Sequence, residues 1–227
     1  MLEEFGASLY LADGPVVSFY GFPYPTRMAL AQLSDGGLWI WSPIKLSPEL
    51  DRAVDALGPV RHIVSPNKIH HLFLKEWAER WPDAQIHAPP GLATRRPDLH
   101  FDTELGDEAD SAWATDIDQA IFRGSFAMEE VAFFHRPSRS AIFGDLVQRH
   151  DPAKLKGFKR LLMRFDGLVG EHGSTPREWR VSFLRRSRSR LARARVLAWE
   201  PERLVIAHGT CARENATRTL ARALAWM

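Results

Sequence analysis

The stretch VRHIVSPNKIHH, residues 60–71, decides the fold of this chain. Residues 60–64 have the apolar, β-branched composition of a short buried strand, and the Ser65-Pro66-Asn67-Lys68 run after them is typical of a turn. Apolar residues at helical spacing over 71–81 predict a helix, and residues 84–88 predict another strand. The order strand, helix, strand predicts an α/β domain.

The sequence on both sides continues this alternation. Upstream, residues 8–13 predict a strand and the Asp35-Gly36-Gly37 turn predicts a hairpin within 27–43, followed by a helix that begins at Pro48 and ends at Gly58. Downstream, the pattern predicts strands at 120–123, 131–135, 140–144 and 204–207, and helices at 151–164, 176–197 and 210–227. With no internal repeat or linker, we predict a single domain over residues 1–227.

Composition limits the classes of partner. The chain has 227 residues, of which 45% are hydrophobic, and 30 Lys and Arg against 28 Asp and Glu give a net charge of +2. This balance makes no case for nucleic acid as a partner. The sequence begins without a basic, then apolar, leader and has no apolar run near the about 20 residues of a membrane span. We therefore expect a cytoplasmic protein with no membrane partner. The sole cysteine, Cys211, cannot form an internal disulfide.

Polar residues that can bind metals follow several of the predicted strands. His70 and His71 open the helix predicted after the first motif, Asp145 follows a strand and a glycine, and His208 lies between a strand and Gly209. Functional sites in α/β folds gather where strands end. Each residue alone is more often structural, but two or three imidazoles with one carboxylate form a normal ligand set for zinc or iron.

This order of motifs resembles the metallo-β-lactamase-like superfamily. Its members have a strand followed by Thr-His-x-His-x-Asp-His, later a strand with Gly-Asp, and finally a strand with His-Gly. In this comparison Ser65 takes the position of the threonine, His70 and His71 those of the last aspartate and histidine, and Asp145 and His208 the later positions. The resemblance implies an αββα sandwich with the site at one edge of its two sheets.

Within the superfamily, SPNKIHHLF with a downstream SRSAIFGDL looks like an uncharacterised family, a domain of unknown function.

The motifs also depart from the usual pattern of the superfamily. Pro66 and Lys68 stand where the superfamily has the two histidines of its first metal site, and neither Met128 nor Glu129 supplies the third. The resemblance therefore implies that the first metal site is absent and that a mononuclear site remains.

Lys68 has two interpretations. Its ammonium can occupy the space of the missing metal and supply a positive charge to Asp145 or to a substrate oxyanion. Alternatively, it forms a salt bridge with Glu129 or Glu130 that fills the vacated site. We favour the salt bridge slightly, because a partly buried site that contains Asp145 needs charge compensation in any case.

These observations lead to one functional hypothesis and one rival. We expect a metal-dependent hydrolase of a small ester, thioester, lactone or phosphoester. His71, Asp145 and His208, with His70 as a fourth ligand, would hold one divalent metal, with zinc expected ahead of iron or manganese. The metal would activate a bound water, and Lys68 would stabilise developing negative charge. Four protein ligands are typical of a closed structural zinc site, so catalysis needs a fifth position or a His70 turned away.

The rival is a catalytically inactive ligand-binding or interaction module that keeps the fold and has lost the chemistry. An enzyme should keep an open metal position inside a pocket, whereas a module should have no metal or a fully ligated, buried one. The Arg-rich run at residues 185–195 is a further feature, and an apolar face on the same helix favours a solvated helix surface over phosphate or nucleic-acid binding.

Overall fold

Two β-sheets pack against each other in the computed structural model, which describes residues 1–19, 22–154, 161, 163–170 and 173–227. Within these residues the first sheet consists, in spatial order, of β1 (Glu3–Gly6), β2 (Leu9–Phe19), β3 (Phe22–Gln32), β4 (Leu38–Trp41), β5 (Val60–Val64), β6 (Gln85–Ala88) and β7 (Thr103–Glu104). The second sheet has the order β11-β10-β9-β8, with β8 (Ile117–Phe122), β9 (Glu130–His135), β10 (Ser140–Phe143) and β11 (Arg203–Ile206).

Helices cover the outer face of each sheet. Buried side chains of α1 (Pro48–Asp55), α2 (Leu74–Arg80) and α3 (Leu92–Arg95) pack on the first sheet. Those of α4 (Arg177–Ser182), α5 (Arg186–Ala198) and α6 (Ala216–Ala223) pack on the second. A 3-10 helix spans Pro152–Lys154. The layers are helix, sheet, sheet and helix, so the predicted αββα sandwich of the α/β class is confirmed.

The sequence of β4 shows how the layers arise. Leu38, Trp39, Ile40 and Trp41 are all buried, because both faces of the strand are covered. The alternation of side chains along a strand places Trp39 and Trp41 between the two sheets, and Leu38 and Ile40 against the helices. The predicted hairpin before this strand is present, and the Asp35 carboxylate accepts a hydrogen bond from the Gly37 N–H at 2.8 Å.

Two predicted helices begin or continue differently in the structure. Helix α2 starts at Leu74 and not at His71, because residues 65–70 form turns in which the Ser65 hydroxyl donates to the His70 carbonyl at 2.9 Å. The helix predicted over 176–197 is interrupted between α4 and α5. There the buried Phe183 packs into the core and the Leu184 N–H donates to the Gly124 carbonyl at 3.1 Å.

The other helix predictions have different outcomes. The helix predicted over 210–227 begins only at Ala216, since Ala212 and Leu204 exchange backbone hydrogen bonds of 2.8 and 2.9 Å that extend the sheet edge. Half of the helix predicted over 151–164 lies at residues 155–160 and 162, which are outside the described residues. Among the described helices, none combines the length and the apolar character needed to cross a membrane.

Most arginines of the Arg-rich run have structural partners. Arg186, Arg190 and Arg193 donate to the main-chain carbonyls of Trp226, Met227 and Ala221, which follow or end α6. Cationic side chains near the carbonyl end of a helix are stabilising there. Arg195 binds Glu108 and Asp118 instead. The run therefore joins α5 to α6 and to the second sheet.

Candidate metal centre

Three side chains from different elements converge at one edge of the sheets. His70 lies in the loop after β5, Asp145 follows β10, and His208 follows β11. His70 Nε2 is 3.0 Å from Asp145 Oδ2, and His208 Nε2 is 3.1 Å from Asp145 Oδ1. One potential ligand atom of each residue lies within 4.8 Å of the others. Because β10 and β11 are parallel neighbours, their carboxyl ends bring Asp145 and His208 to the same place.

The second nitrogen of each imidazole is held by a hydrogen bond. His208 Nδ1 lies 2.9 Å from the Pro25 carbonyl, which can only accept, so Nδ1 carries the proton and Nε2 is directed to Asp145. His70 Nδ1 lies 2.7 Å from the Ser42 hydroxyl, which can donate or accept. Partners of this kind fix the ring orientation of metal-binding histidines. The two Nε2 atoms are therefore arranged in advance around one carboxylate.

A second, fully buried carboxylate supports Asp145 from behind. Glu130, at the start of β9, accepts hydrogen bonds from the backbone N–H groups of Gly144, Asp145 and Leu146 at 3.0, 2.7 and 3.2 Å. The Asn67 amide links the two acids, because its Nδ2 donates to Glu130 at 2.8 Å and to Asp145 at 2.9 Å. The turn that carries Asp145 is therefore anchored on both sides.

The charges of the centre act strongly on one another. Burial alone would raise the pKa of Asp145, but the positive charges of His70 and His208 and their hydrogen bonds hold it well below its usual value. Burial would lower the pKa of His208, whereas Asp145 raises it above the ordinary value. Burial, followed by repulsion from Asp145, raises the pKa of Glu130 to about 8. Asp145 is thus the carboxylate that stays ionised.

His71 does not lie in this group, contrary to its predicted place beside Asp145. Arg95 Nε donates to His71 Nε2 at 3.2 Å, and Arg96 Nη1 lies 3.1 Å from His71 Nδ1 and donates to the His71 carbonyl at 3.0 Å. Burial and the two guanidiniums lower the pKa of His71. Of the two adjacent histidines, the loop therefore turns His70 inward and leaves His71 against α3.

Lys68 lies at the same opening without the predicted salt bridge. Within the described residues, Glu129 pairs with Arg123 at 3.1 Å, Glu130 binds amide groups, and neither forms an ion pair with Lys68. Lys68 instead lines a cavity of about 580 Å³ whose wall also contains His70, Asp145 and His208. The centre thus opens onto a cavity large enough for a small molecule.

Tyr24 is a residue of β3. Its ring lines the cavity and lies edge-on to His208, with centroids 5.1 Å apart. Tyr20 and Gly21, which precede β3, lie outside the described residues.

Three supporting residues were not found from the sequence. Ser42, Asn67 and Glu130 have no spacing that relates them to Asp145, because they come from three separate segments. The signal that the sequence offered is an acid before an apolar run, since Glu130 directly precedes the residues VAFF of β9. A charged residue in a buried strand needs a partner, and that requirement points towards a site.

Comparison with known sequences identifies the family of the chain. Residues 17–155, more than half of the chain, match the family described as Domain of unknown function (DUF4336). The chain belongs to this family. The part that matches DUF4336 contains Ser42, Asn67, His70 and Asp145, whereas His208 lies beyond it. No curated protein matches the DUF4336 chain.

Solved structures share the fold of this DUF4336 protein at low sequence identity. DIM-1 metallo-β-lactamase exposed to ceftazidime is 14% identical with a TM-score of 0.66, over 98% of this chain and 95% of that one. The metallo-β-lactamase from Pontibacter korlensis is 13% identical with a TM-score of 0.65, over 99% and 98%. FIM-1 from Pseudomonas aeruginosa, in its mono-zinc form, is 10% identical with a TM-score of 0.64, over 100% and 96%. This DUF4336 chain therefore has the metallo-β-lactamase fold over nearly its whole length.

Proposed function

We propose that this protein binds one divalent metal through His70, Asp145 and His208 and is a metal-dependent hydrolase. The proposed substrates are small esters, thioesters, lactones or phosphoesters. The observation that carries this proposal is the convergence of two imidazole Nε2 atoms on one ionised carboxylate at the wall of a cavity.

The donor set suits a catalytic metal. Two imidazoles and a carboxylate are a common ligand set of zinc and of non-haem iron, and both metals then keep positions open for water or substrate. Zinc is our first choice, with iron or manganese as alternatives. Because His71 contacts Arg95 and Arg96, it does not fill a fourth position. With His71 outside the centre, the three proposed ligands would leave a fourth position of the metal open.

A bound metal would supply an activated water and polarise the substrate oxygen. The chain's own residues have other tasks. Ser42 and the Pro25 carbonyl orient the imidazoles, and Asn67 and Glu130 hold the Asp145 turn. Lys68 supplies positive charge to the cavity in which a substrate would lie. These contacts keep the ligands in place before substrate binds, as an efficient site requires.

One observation favours a second candidate, a ligand-binding module without chemistry. Both oxygens of Asp145 already lie within hydrogen-bonding distance of an imidazole, so a protonated His208 can neutralise the carboxylate without a metal. The cavity would then bind a small molecule and leave it unchanged. Metal content separates the two candidates.

The test is metal analysis of protein purified without chelators and then incubated with zinc. We expect about one equivalent of zinc in the wild type and loss of that zinc in His70→Ala and Asp145→Asn. His71→Ala is the matched control, because it removes the neighbouring imidazole outside the centre and should retain the metal. Circular dichroism of each variant verifies that the fold is kept.

A zinc-loaded wild type then allows screening with ester, thioester, lactone and phosphoester substrates. A metal-free wild type, or a His70→Ala variant that keeps its metal while His71→Ala loses it, would contradict the proposed centre. Stoichiometric metal without turnover of any of these substrates would leave the binding module as the better description.

A further inference from the structure

The cavity beside the metal centre has an apolar wall with cations set into it. Its apolar lining includes Ile69, Phe73, Met128 and Trp179. Leu72 also lines it and is 56% exposed, so its apolar side chain is accessible to a bound molecule.

Two of the cations in this wall are not neutralised by carboxylates. Among the ion pairs of the described residues, none includes Lys68 or Arg95, although both line the cavity. Arg96, the neighbour of Arg95, provides the contrast, because Asp98 binds its guanidinium through two hydrogen bonds of 2.7 Å. Of these two adjacent arginines, Arg96 therefore has its charge balanced by an acid, and Arg95 does not.

The contact between Arg95 and His71 leaves the Arg95 guanidinium largely available. An imidazole offers at most one acceptor nitrogen, so His71 cannot accept from Arg95 and from Arg96 at the same time. Arg96 is fixed by Asp98 and by the His71 carbonyl at 3.0 Å. Arg95 has one contact with His71 at 3.2 Å, and the remaining donors of its planar fork suit a carboxylate or a phosphate.

The other charged groups of the wall are mostly occupied. Arg27 is paired with Asp13 at 2.7 Å, and Asp145 lies between its two histidines. Glu178, an exposed residue of α4, is the remaining acid of the lining. Lys68 and Arg95 together therefore leave an excess of positive charge in an otherwise apolar cavity.

We infer that the ligand of this cavity is an amphipathic anion. Its fixed carboxylate or phosphate is bound by Lys68 and Arg95, and its apolar body lies along Phe73, Met128 and Trp179. The inference rests on the proposed function in one respect, since it assumes that the bond to be hydrolysed lies at His70, Asp145 and His208. It assigns Lys68 to the binding of a charge that the substrate carries before reaction, beyond the stabilisation of charge that develops during reaction.

The test is calorimetric titration of the full chain, metal-free and zinc-loaded, with octyl phosphate, octanoate and octanol. The three compounds share the apolar chain and differ in the head group. We expect octyl phosphate, octanoate or both to bind at least about tenfold more tightly than octanol. Lys68→Met and Arg95→Met should each weaken binding of the preferred anion about tenfold and leave octanol unchanged. The stronger anion identifies the head group as phosphate or carboxylate.

Two matched variants control for general loss of positive charge. Lys45→Met and Arg218→Met each remove an exposed cation that does not line the cavity, and both should bind like the wild type. Equal affinities for the anions and octanol, absence of binding, or unchanged anion binding in Lys68→Met and Arg95→Met would overturn the inference.

Zinc content, measured on the same samples, separates this outcome from that of the proposed function. A protein without zinc that still prefers the anions would contradict the hydrolase and support the anion site. A protein with stoichiometric zinc and no preference for the anions would support the metal centre and overturn the anion site.

Discussion

The carboxylate of Glu130 accepts a 2.7 Å hydrogen bond from the backbone N–H of Asp145, so one buried acid holds in place the acid that faces the cavity. Glu130 begins β9, and Asp145 follows β10, the antiparallel neighbour of β9. Glu130 is fully buried, and Asp145 is 7% exposed. Glu130 therefore fixes the backbone of the turn, and Asp145 directs its two carboxylate oxygens to His70 and His208.

Removal of the Glu130 carboxylate should destabilise the fold and weaken metal binding. Glu130→Ala leaves the N–H groups of Gly144, Asp145 and Leu146 buried without their acceptor, and we expect a loss of about 3 kcal/mol in the free energy of unfolding. Glu130→Gln keeps one acceptor oxygen and should lose less. Urea unfolding and zinc titration measure the two effects.

Glu129→Ala is the matched control for this prediction. Its partly exposed ion pair with Arg123 at 3.1 Å is worth no more than about 1 kcal/mol, and it does not contact Asp145. Equal losses in Glu129→Ala and Glu130→Ala would show that Glu130 has no special role in the turn.

The Ser42 hydroxyl should matter for metal affinity more than for stability. Ser42 lies 2.7 Å from His70 Nδ1 and orients the ring. Ser42→Ala should weaken zinc binding about tenfold, since removal of such a partner loosens a ligand without removing it. Ser47→Ala provides the comparison, because Ser47 caps α1 through the Leu50 N–H and should cost about 1 kcal/mol of stability with zinc affinity unchanged. Competition titration with a chromogenic chelator gives the affinities, and identical values for both variants would contradict this role.

Acid should destabilise the protein through a buried histidine on β9. Burial lowers the pKa of His135 from 6.5 to about 4, so the folded chain keeps this imidazole neutral where the unfolded chain takes up a proton. The unfolded state therefore binds more protons between pH 6.5 and about 4, and stability falls as the pH falls through this window. From pH 7 to pH 5 we expect His135 to account for a loss of about 2 kcal/mol.

Urea unfolding at pH 7 and pH 5 checks this prediction. His135→Gln should lose less stability between the two pH values than the wild type does. His100→Gln should behave like the wild type, because the His100 side chain is 86% exposed. A wild-type pH dependence retained in full by His135→Gln would assign the acid sensitivity to other groups.

The arginines that join α5 to α6 should contribute to stability. Arg190 Nε donates to the Met227 carbonyl at 2.6 Å, and Arg190→Met should lower the free energy of unfolding by about 1 kcal/mol. Arg188→Met is the control on the same helix, since no hydrogen bond or ion pair of the described residues includes the Arg188 side chain. Thermal unfolding of both variants measures the difference. A midpoint lowered only in Arg188→Met would contradict the structural account of this run.

Much of the fold could be predicted from local patterns. The hairpin before β4, the β5 strand, and the strands that precede Asp145 and His208 follow from apolar runs and turn residues that lie next to each other in the chain. Helix ends were predicted less well. The start of α2 depends on the turn closed by the Ser65 and His70 hydrogen bond, and the start of α6 on the backbone bonds between Ala212 and Leu204; the spacing of apolar residues contains neither.

The sequence by itself therefore determined the strands that precede Asp145 and His208, because alternation along a strand and the polarity of strand ends are local properties, whereas the αββα layers were implied by the resemblance to the metallo-β-lactamase-like superfamily. Only the tertiary structure decided which of two adjacent histidines enters the centre. His70 turns to Ser42 and Asp145, and His71 turns to Arg95 and Arg96. These partners come from three separate parts of the chain, so the choice depends on packing that exists only once the two sheets have met.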